Sequence, residues 1–359
     1  GITMLKKKLA LVLAMAMAAS LALSGCGNPH ASSSGSGSGS GSGGTSAAAP
    51  SGGSGETAVL ATGGSTGTYY GVGSGMCTVL NPIIGDVLNM TATSTGASKE
   101  NVQGITDDKY QLAILQSDVL TYAHNGEDMF EEPETDALWV AGLYNETVQI
   151  TARGGITDVS ELAGKTVCVG DRGSGTEFNA RQVLEAYGMT YDDINVTYGS
   201  FGDASEQLKN GQIDAAFTVA GAPTVAITEL ATSGMDFSMV SLTQEAVDYL
   251  TENYHFLVQE NLPAGTYEGV DYEVTCVAVQ AVLVASTDLS EDAVYELTKA
   301  LFENKDELIV GHPKFELLTD YDATKGISVP VHPGALKYYV EAGVLDEEGN
   351  LLIDAPTTA

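Results

Sequence analysis

Two long runs rich in apolar and β-branched residues constrain the fold of this chain more than any other feature. Residues 138–151 and 274–286 each have the composition of one extended segment. Shorter apolar runs, at 58–61, 89–93, 112–115, 166–169, 195–198 and 214–217, alternate with helical patterns around them. This alternation predicts an α/β fold with a mostly parallel sheet, and the two long segments predict crossovers between lobes.

The length of the chain also favours two lobes. About 300 residues follow the N-terminal region, and a single hydrophobic core rarely extends that far. The simplest topology inserts a middle lobe into an outer one. We therefore predict an outer lobe from residues 56–151 and 276–359, and an inner lobe from residues 152–275.

The N-terminal region has the pattern of a secretory signal. Three lysines, Lys6 to Lys8, precede a mostly apolar run at 9–23. Such a basic start and short apolar core are typical of signal peptides. The run is shorter than the roughly 20 apolar residues of a transmembrane helix.

The sequence Leu-Ser-Gly-Cys that ends this run, at 23–26, resembles the lipobox of bacterial lipoproteins. The resemblance implies removal of residues 1–25 and a lipid on Cys26, which would anchor an extracytoplasmic protein to the cell membrane. The alternative is an ordinary cleaved signal in which Cys26 is incidental. Residues 26–55 are dominated by Gly, Ser, Ala and Thr, which predicts a flexible tether.

The charge of the chain restricts its partners. There are 15 Lys and Arg against 47 Asp and Glu, a formal net charge of −32. Such a surface repels nucleic acid, so we expect no nucleic-acid partner. Any anionic ligand must be attracted by a local group and not by the overall field.

The cysteines and histidines predict neither a metal site nor a cofactor. Cys77, Cys168 and Cys276 are far apart and form no CxxC pair, and the five histidines lack ligand spacing. We expect the three cysteines to be buried free thiols.

Four predicted strand-to-helix turns are rich in Gly, Ser and Thr: residues 63–70, 95–98, 173–176 and 218–223. Unpaired backbone N–H groups at a helix start attract a carboxylate or phosphate, and in open α/β sheets such turns gather at one edge. The alternative for each turn is that its Ser and Thr only cap the helix. No Gly-Lys-Ser or Gly-Lys-Thr follows a glycine cluster, which excludes a Walker-type loop.

Seven segments in order resemble the TAXI family of solute receptors, the binding subunits of tripartite ATP-independent periplasmic (TRAP) transporters. They are TGGSTGTYY at 62–70, GSGT at 173–176, GQIDAAF at 211–217, AGAP at 220–223, PAGTY at 263–267, ALFEN at 300–304 and HPGA at 332–335. The resemblance implies a type II periplasmic-binding-protein fold whose two lobes close on a ligand. It also implies delivery to TRAP permease subunits driven by an ion gradient. The ligand it implies is a small carboxylate such as glutamate, 2-oxoglutarate or another dicarboxylate.

The candidate ligand-binding residues come from the turns and from one strand end. They are Ser65, Thr68, Tyr69, Thr95, Gln116 and Ser117 in the outer lobe, and Ser174, Gly175, Thr176, Gly221 and Pro223 in the inner lobe. Arg153 and Arg172 could each pair with a ligand carboxylate. Alternatively, Arg153 ties the hinge and Arg172 is solvated.

Two other functions stay open on the sequence. An exported hydrolase would need a base beside Ser174. However, His124, His255, His312 and His332 fall outside the four turns, so we predict a protein without enzymatic activity. A lipoprotein that presents its ligand to a membrane sensor would have the same sequence features as a transport receptor.

Overall fold

The computed structural model describes residues 54–357. The strands are β1 (Glu56–Ala61), β2 (Leu88–Thr93), β3 (Leu112–Gln116), β4 (Ala137–Arg153), β5 (Thr166–Cys168), β6 (Asn195–Thr197), β7 (Ala215–Ala220), β8 (Phe237–Met239), β9 (Val258–Gln259) and β10 (Val277–Ser286). The predicted signal peptide, Cys26 and the tether up to residue 53 lie outside the described residues.

Helices cover both faces of the sheet. They are α1 (Thr68–Ile84), α2 (Ser98–Thr106), α3 (Ser117–Asn125), α4 (Gly175–Ala186), α5 (Phe201–Lys209), α6 (Val225–Thr232), α7 (Gln244–Asn253), α8 (Glu291–Glu303), α9 (Lys305–Gly311), α10 (Asp320–Thr324) and α11 (Pro333–Glu341). None of these helices combines the length and the apolarity that a membrane crossing requires.

The strands join into one mixed sheet in the order β2-β1-β3-β10-β4-β7-β5-β6, with β8 and β9 as side branches. Strands β1, β2 and β3 are parallel, and so are β5, β6 and β7. Between these two parallel groups, β10 and β4 run antiparallel to their neighbours. The prediction of two α/β lobes joined by two crossover strands is confirmed. The sheet is mixed and not mostly parallel as predicted, because the long strands β4 and β10 add antiparallel pairs.

Strand β4 connects the two lobes because it changes partner along its 17 residues. Its first part pairs with β10 and its second part with β7, and Thr147 pairs with both Ala278 and Ala220. Successive side chains of a strand point to opposite faces of the sheet. Residues next to Thr147 can therefore face the cleft between the lobes.

Separate hydrophobic clusters lie on either side of this crossover. One packs residues such as Met76 and Leu297 against the β1–β3 side, and another contains Val183 and Phe217 on the β5–β7 side. The predicted lobe boundaries at residues 151/152 and 275/276 stay a prediction. Cys77, Cys168 and Cys276 are buried free thiols.

One predicted turn begins later than expected. We predicted a turn at 218–223, but β7 continues through Ala220, because Thr218 to Ala220 pair with Gln149 to Thr147 of β4. Helices α8 and α9 are separated at Asn304.

Candidate functional site

A cavity lies where the two lobes face each other. It is lined by Gly63, Gly64, Gly67, Thr68, Tyr69, Ala97, Ser98, Gln116, Glu146, Asp171, Ser174, Gly175, Thr176, Phe201, Val219 and Ala220. The volume open to the centre of a water molecule is about 30 Å³. The cavity of this closed arrangement is therefore narrow.

The N-terminus of α1 opens into this cavity without a cap. Gly67 occupies the N-cap position, no side chain caps the helix, and its first turn has no acidic residue. The Thr68 hydroxyl donates to the carbonyl of Gly221 at 2.8 Å, so it is already used inside the protein. The unpaired backbone N–H groups and positive dipole end of this helix are therefore available to an anion.

The N-terminus of α4 is capped by its own residues. The amide of Glu177 donates to Ser174 Oγ at 3.3 Å, and the amide of Gly173 donates to Glu177 Oε2 at 2.6 Å. Thr176 Oγ1 accepts from the amide of Val219 at 3.4 Å. Since the Glu177 carboxylate offsets the positive end of α4, this helix offers less to an anion than α1 does.

The start of α2 carries backbone strain. Ala97 lines the cavity with φ 71° and ψ −145°, a region that is essentially restricted to glycine. The Thr95 hydroxyl oxygen accepts from the amide of Ala97 at 3.0 Å, and Glu100 Oε2 accepts from the amide of Gly96 at 2.7 Å. Such strain costs about 1–3 kcal/mol, and residues that carry it cluster at ligand sites.

Gln116 joins the lobes at the cavity. Its side chain is 1% exposed, and Oε1 has no hydrogen-bond partner among residues 54–357. It lies against Gly175, where a Cβ atom would be 2.1 Å from Gln116 Cδ. The amide of Lys99 also donates to the carbonyl of Gly173 at 3.0 Å, so α2 is bonded across the cleft to the turn before α4.

Helix α4 makes further contacts with the outer lobe. Asn179 Nδ2 donates to Asp118 Oδ2 at 3.1 Å. Phe178 is buried with Tyr122 and Phe130, at ring-centroid distances of 5.7 and 6.3 Å. These contacts stabilise the closed arrangement without a ligand.

Two carboxyl groups line the cavity, Glu146 and Asp171. Glu146 is 1% exposed, and the Tyr69 hydroxyl donates to its Oε2 at 2.6 Å. Burial raises the pKa of Glu146 well above its ordinary value. Burial also raises the pKa of Asp171, with a further contribution from the carboxylates of Asp203 and Glu100.

No lysine, arginine or histidine is among the described residues that line the cavity. Sequence reasoning missed Glu146 and Asp171. A signal was present for the first, because Glu146 is the only acidic residue in the apolar run 138–151.

The structure brings six of the eleven predicted ligand-binding residues to the cavity: Thr68, Tyr69, Gln116, Ser174, Gly175 and Thr176. The other five, Ser65, Thr95, Ser117, Gly221 and Pro223, are not among its lining residues. Ser65 is exposed, whereas Gly221 contacts the cavity residue Thr68. All eleven assignments stay predictions.

The two arginines lie away from the cavity lining. Arg153 Nη1 donates to the carbonyl of Leu208 at 3.2 Å. The guanidinium of Arg172 lies over the ring of Tyr198, with 3.8 Å between its carbon and the ring centroid.

The described part of the chain holds no cluster of three or more His, Cys, Asp or Glu residues suited to a metal ion. Two histidines of this part of the chain contact backbone groups instead. His332 Nδ1 accepts from the amide of Gly334 at 3.2 Å, and His124 Nε2 lies 2.7 Å from the carbonyl oxygen of Ala137.

The strand order, the two crossover strands and the cavity between the lobes define a protein with the type II periplasmic-binding-protein fold. The chain belongs to the NMT1-like family, whose profile matches residues 60–343.

Solved structures with this fold are distant from the chain. The periplasmic aliphatic sulphonate-binding protein SsuA from Escherichia coli is 13% identical over 74% of this chain and 75% of that one, with a TM-score of 0.43. PhnD1 from Prochlorococcus marinus, in complex with methylphosphonate, is 10% identical over 72% and 90%, with a TM-score of 0.48. The GluR0 ligand-binding core from Nostoc punctiforme, in complex with L-glutamate, is 15% identical over 72% and 98%, with a TM-score of 0.42. The ligands differ among these proteins, so none is assigned to this chain.

Proposed function

We propose that this protein is an extracytoplasmic solute receptor without enzymatic activity, which binds a small carboxylate between its lobes. It is held at the cell membrane by lipid on Cys26 and delivers its ligand to TRAP permease subunits. The lipobox-like segment and the TAXI-like segments support the anchor and the permease, respectively. Membership of the NMT1-like family and the type II fold support the receptor role.

One observation carries the carboxylate site: the uncapped N-terminus of α1 opens into the cavity between the lobes. Gly67 supplies no side-chain cap, and the 17-residue helix has no acid in its first turn. A ligand carboxylate would satisfy backbone N–H groups that no described side chain satisfies. At two other helix starts beside the cavity, those of α2 and α4, the carboxylates of Glu100 and Glu177 accept from the amides of Gly96 and Gly173.

Closure supplies the selectivity of such a receptor. Contacts such as Thr68–Gly221 and Lys99–Gly173 join the two lobes in the closed form. A ligand that bridges the lobes stabilises the closed form by its additional contacts.

A screen of amino acids, 2-oxo acids and dicarboxylates against the full chain would identify the ligand by the rise in melting temperature. Two substitutions at one position then test the site. Gly67→Asp places a carboxylate where the ligand carboxylate would lie, so we expect affinity to fall at least about 10-fold while α1 keeps or gains stability.

Gly67→Ala is the matched control, because its Cβ would meet the Gly64 carbonyl oxygen at 3.2 Å and Phe201 at 3.4 Å without adding charge. We expect it to retain most of the affinity. Equal affinities for the two variants would remove the α1 terminus from the ligand site.

A further inference from the structure

The cavity offers more hydrogen-bond acceptors than a carboxylate ligand can use. Glu146, Asp171 and the unpartnered Oε1 of Gln116 all line it, and none of its described lining residues is a cation. A dicarboxylate placed there would satisfy the helix N–H groups, but its other end would meet Gln116 Oε1 and two carboxyl groups, which repel it once they ionise. The lining therefore fits a ligand that also donates hydrogen bonds.

Glu146 is placed to receive that donor. It precedes Thr147, the residue at which β4 changes its partner from β10 to β7, so it lies at the junction of the lobes. The Tyr69 hydroxyl binds Oε2, and Oε1 accepts no hydrogen bond from the described residues. A carboxyl buried beside an acceptor-rich cavity is costly unless a donor group pairs with it.

We propose that Glu146 and Gln116 bind an amino group of the solute, so that the ligand is a small amino acid or another short aminocarboxylate. Its carboxylate would face the N-terminus of α1. This inference rests on the proposed function and narrows its ligand class. Of the carboxylates that the sequence indicates, it selects glutamate-like compounds and disfavours 2-oxoglutarate, which has no amino group.

The charge of the protein supports a zwitterion. A chain with a net charge of −32 repels a dicarboxylate, which has two negative charges, more than glutamate, which has one net negative charge, or a neutral zwitterion. The opposite ends of the cavity, helix N–H groups on one side and acceptors on the other, match the two charges of an amino acid.

Proton release is the signature of this binding mode. Without ligand, burial keeps the pKa of Glu146 raised, so its carboxyl retains a proton to higher pH. When an ammonium group binds, the carboxyl loses this proton to solvent and the ammonium keeps its own three. Other titratable groups that act on Glu146 are Tyr69 of α1, Tyr144 of β4 and Asp118 of α3, while Asp171 lines the same cavity.

The test is calorimetry on the full chain with matched compounds: glycine, acetate and methylamine; L-alanine, propionate and ethylamine; L-glutamate, glutarate and propylamine. Each titration is repeated in two buffers of different ionisation enthalpy to count released protons. We expect an aminocarboxylate to bind at least about 10-fold more tightly than its partner without the amino group, with proton release near neutral pH.

Glu146→Gln keeps the shape of the side chain, and its amide oxygen can still accept from Tyr69. We expect it to lose about 10- to 100-fold in affinity for the aminocarboxylate and to abolish proton release. Glu229→Gln, at an exposed position on α6, is the matched control and should change neither quantity. Melting curves of both variants check folding.

The other outcomes distinguish this inference from the proposed function. Carboxylates that bind equally with and without the amino group, unaffected by Glu146→Gln, would overturn this inference and leave the proposed function intact. Amines that bind without a carboxylate would support Glu146 and overturn the carboxylate site. Failure of every compound to bind would overturn both.

Discussion

Gly175 of the inner lobe and Gln116 of the outer lobe meet so closely that no carbon atom fits between them. A Cβ atom on Gly175 would lie 2.1 Å from Gln116 Cδ. The closed form therefore depends on the absence of a side chain at the first residue of α4.

Gly175→Ala is expected to force Gln116 out of its place and so weaken ligand binding by about 10-fold or more, which titration calorimetry would measure. The control is Gly199→Ala, whose Cβ would meet its nearest neighbour, Asp203, at an ordinary 3.7 Å. Adding Gln116→Ala to Gly175→Ala should restore room for closure. If Gly175→Ala alone bound ligand normally, the close contact would have no role in closure.

Phe178 holds the lobes together by an apolar contact. This α4 residue is buried with outer-lobe aromatic residues, so Phe178→Ala should favour the open form. We expect a larger radius of gyration in X-ray scattering without ligand, and a loss of up to about 3–5 kcal/mol in the free energy of unfolding.

Phe217→Ala provides the comparison for this experiment, because Phe217 is buried within the inner-lobe cluster alone. It should destabilise the protein without increasing the radius of gyration of the folded form. An unchanged radius of gyration in Phe178→Ala would show that Phe178 does not hold the lobes together.

The stability of the protein should depend on pH through Glu146. Because burial raises the pKa of Glu146 above its ordinary 4.5, the folded protein keeps a proton that the unfolded chain has lost. The free energy of unfolding therefore falls as pH rises from about 4.5 through the folded-state pKa. Glu146→Gln cannot ionise, so it should lack this fall and be more stable than the wild type near neutral pH.

Urea unfolding between about pH 4 and about pH 8 measures this difference. Asp118, whose pKa burial raises to about 6, acts on Glu146, so Asp118→Asn is introduced into both proteins to remove its titration from the comparison. Parallel curves for the two proteins would show that Glu146 does not carry a raised pKa.

Ser174 caps α4, and its removal should cost stability whether or not it binds ligand. Ser174→Ala is expected to lower the free energy of unfolding by about 1 kcal/mol, and Ser174→Gly by only a few tenths. The predicted ligand contact requires affinity to fall about 10-fold in both variants. Unchanged affinity in both would leave Ser174 as a cap only.

The fold could be predicted because strands and turns leave patterns in short stretches of the sequence. Residues 138–151 predicted the crossover that is β4, and the Gly-rich turn before Tyr69 predicted the start of α1. The end of β7 was predicted too early, since the pairing of Thr218 to Ala220 with β4 is set by a distant part of the chain.

The site was only partly predictable for the same reason. Glycine and hydroxyl residues mark helix starts, so Thr68, Ser174 and Thr176 could be predicted, and all three line the cavity. Whether such a hydroxyl faces a ligand or a backbone group depends on tertiary contacts, as with Thr68 and the carbonyl of Gly221. Glu146 was missed because a lone acid in a strand carries no motif, and its partner Tyr69 is 77 residues away.

The central claim is that a small acid binds between the lobes at the N-terminus of α1. Hydrogen–deuterium exchange of the full chain, with and without the ligand found by the screen, tests it most directly. We predict that the amides of residues 67–70 and 174–177 become protected together. Protection confined to one lobe, or to surfaces away from the cavity, would contradict the account.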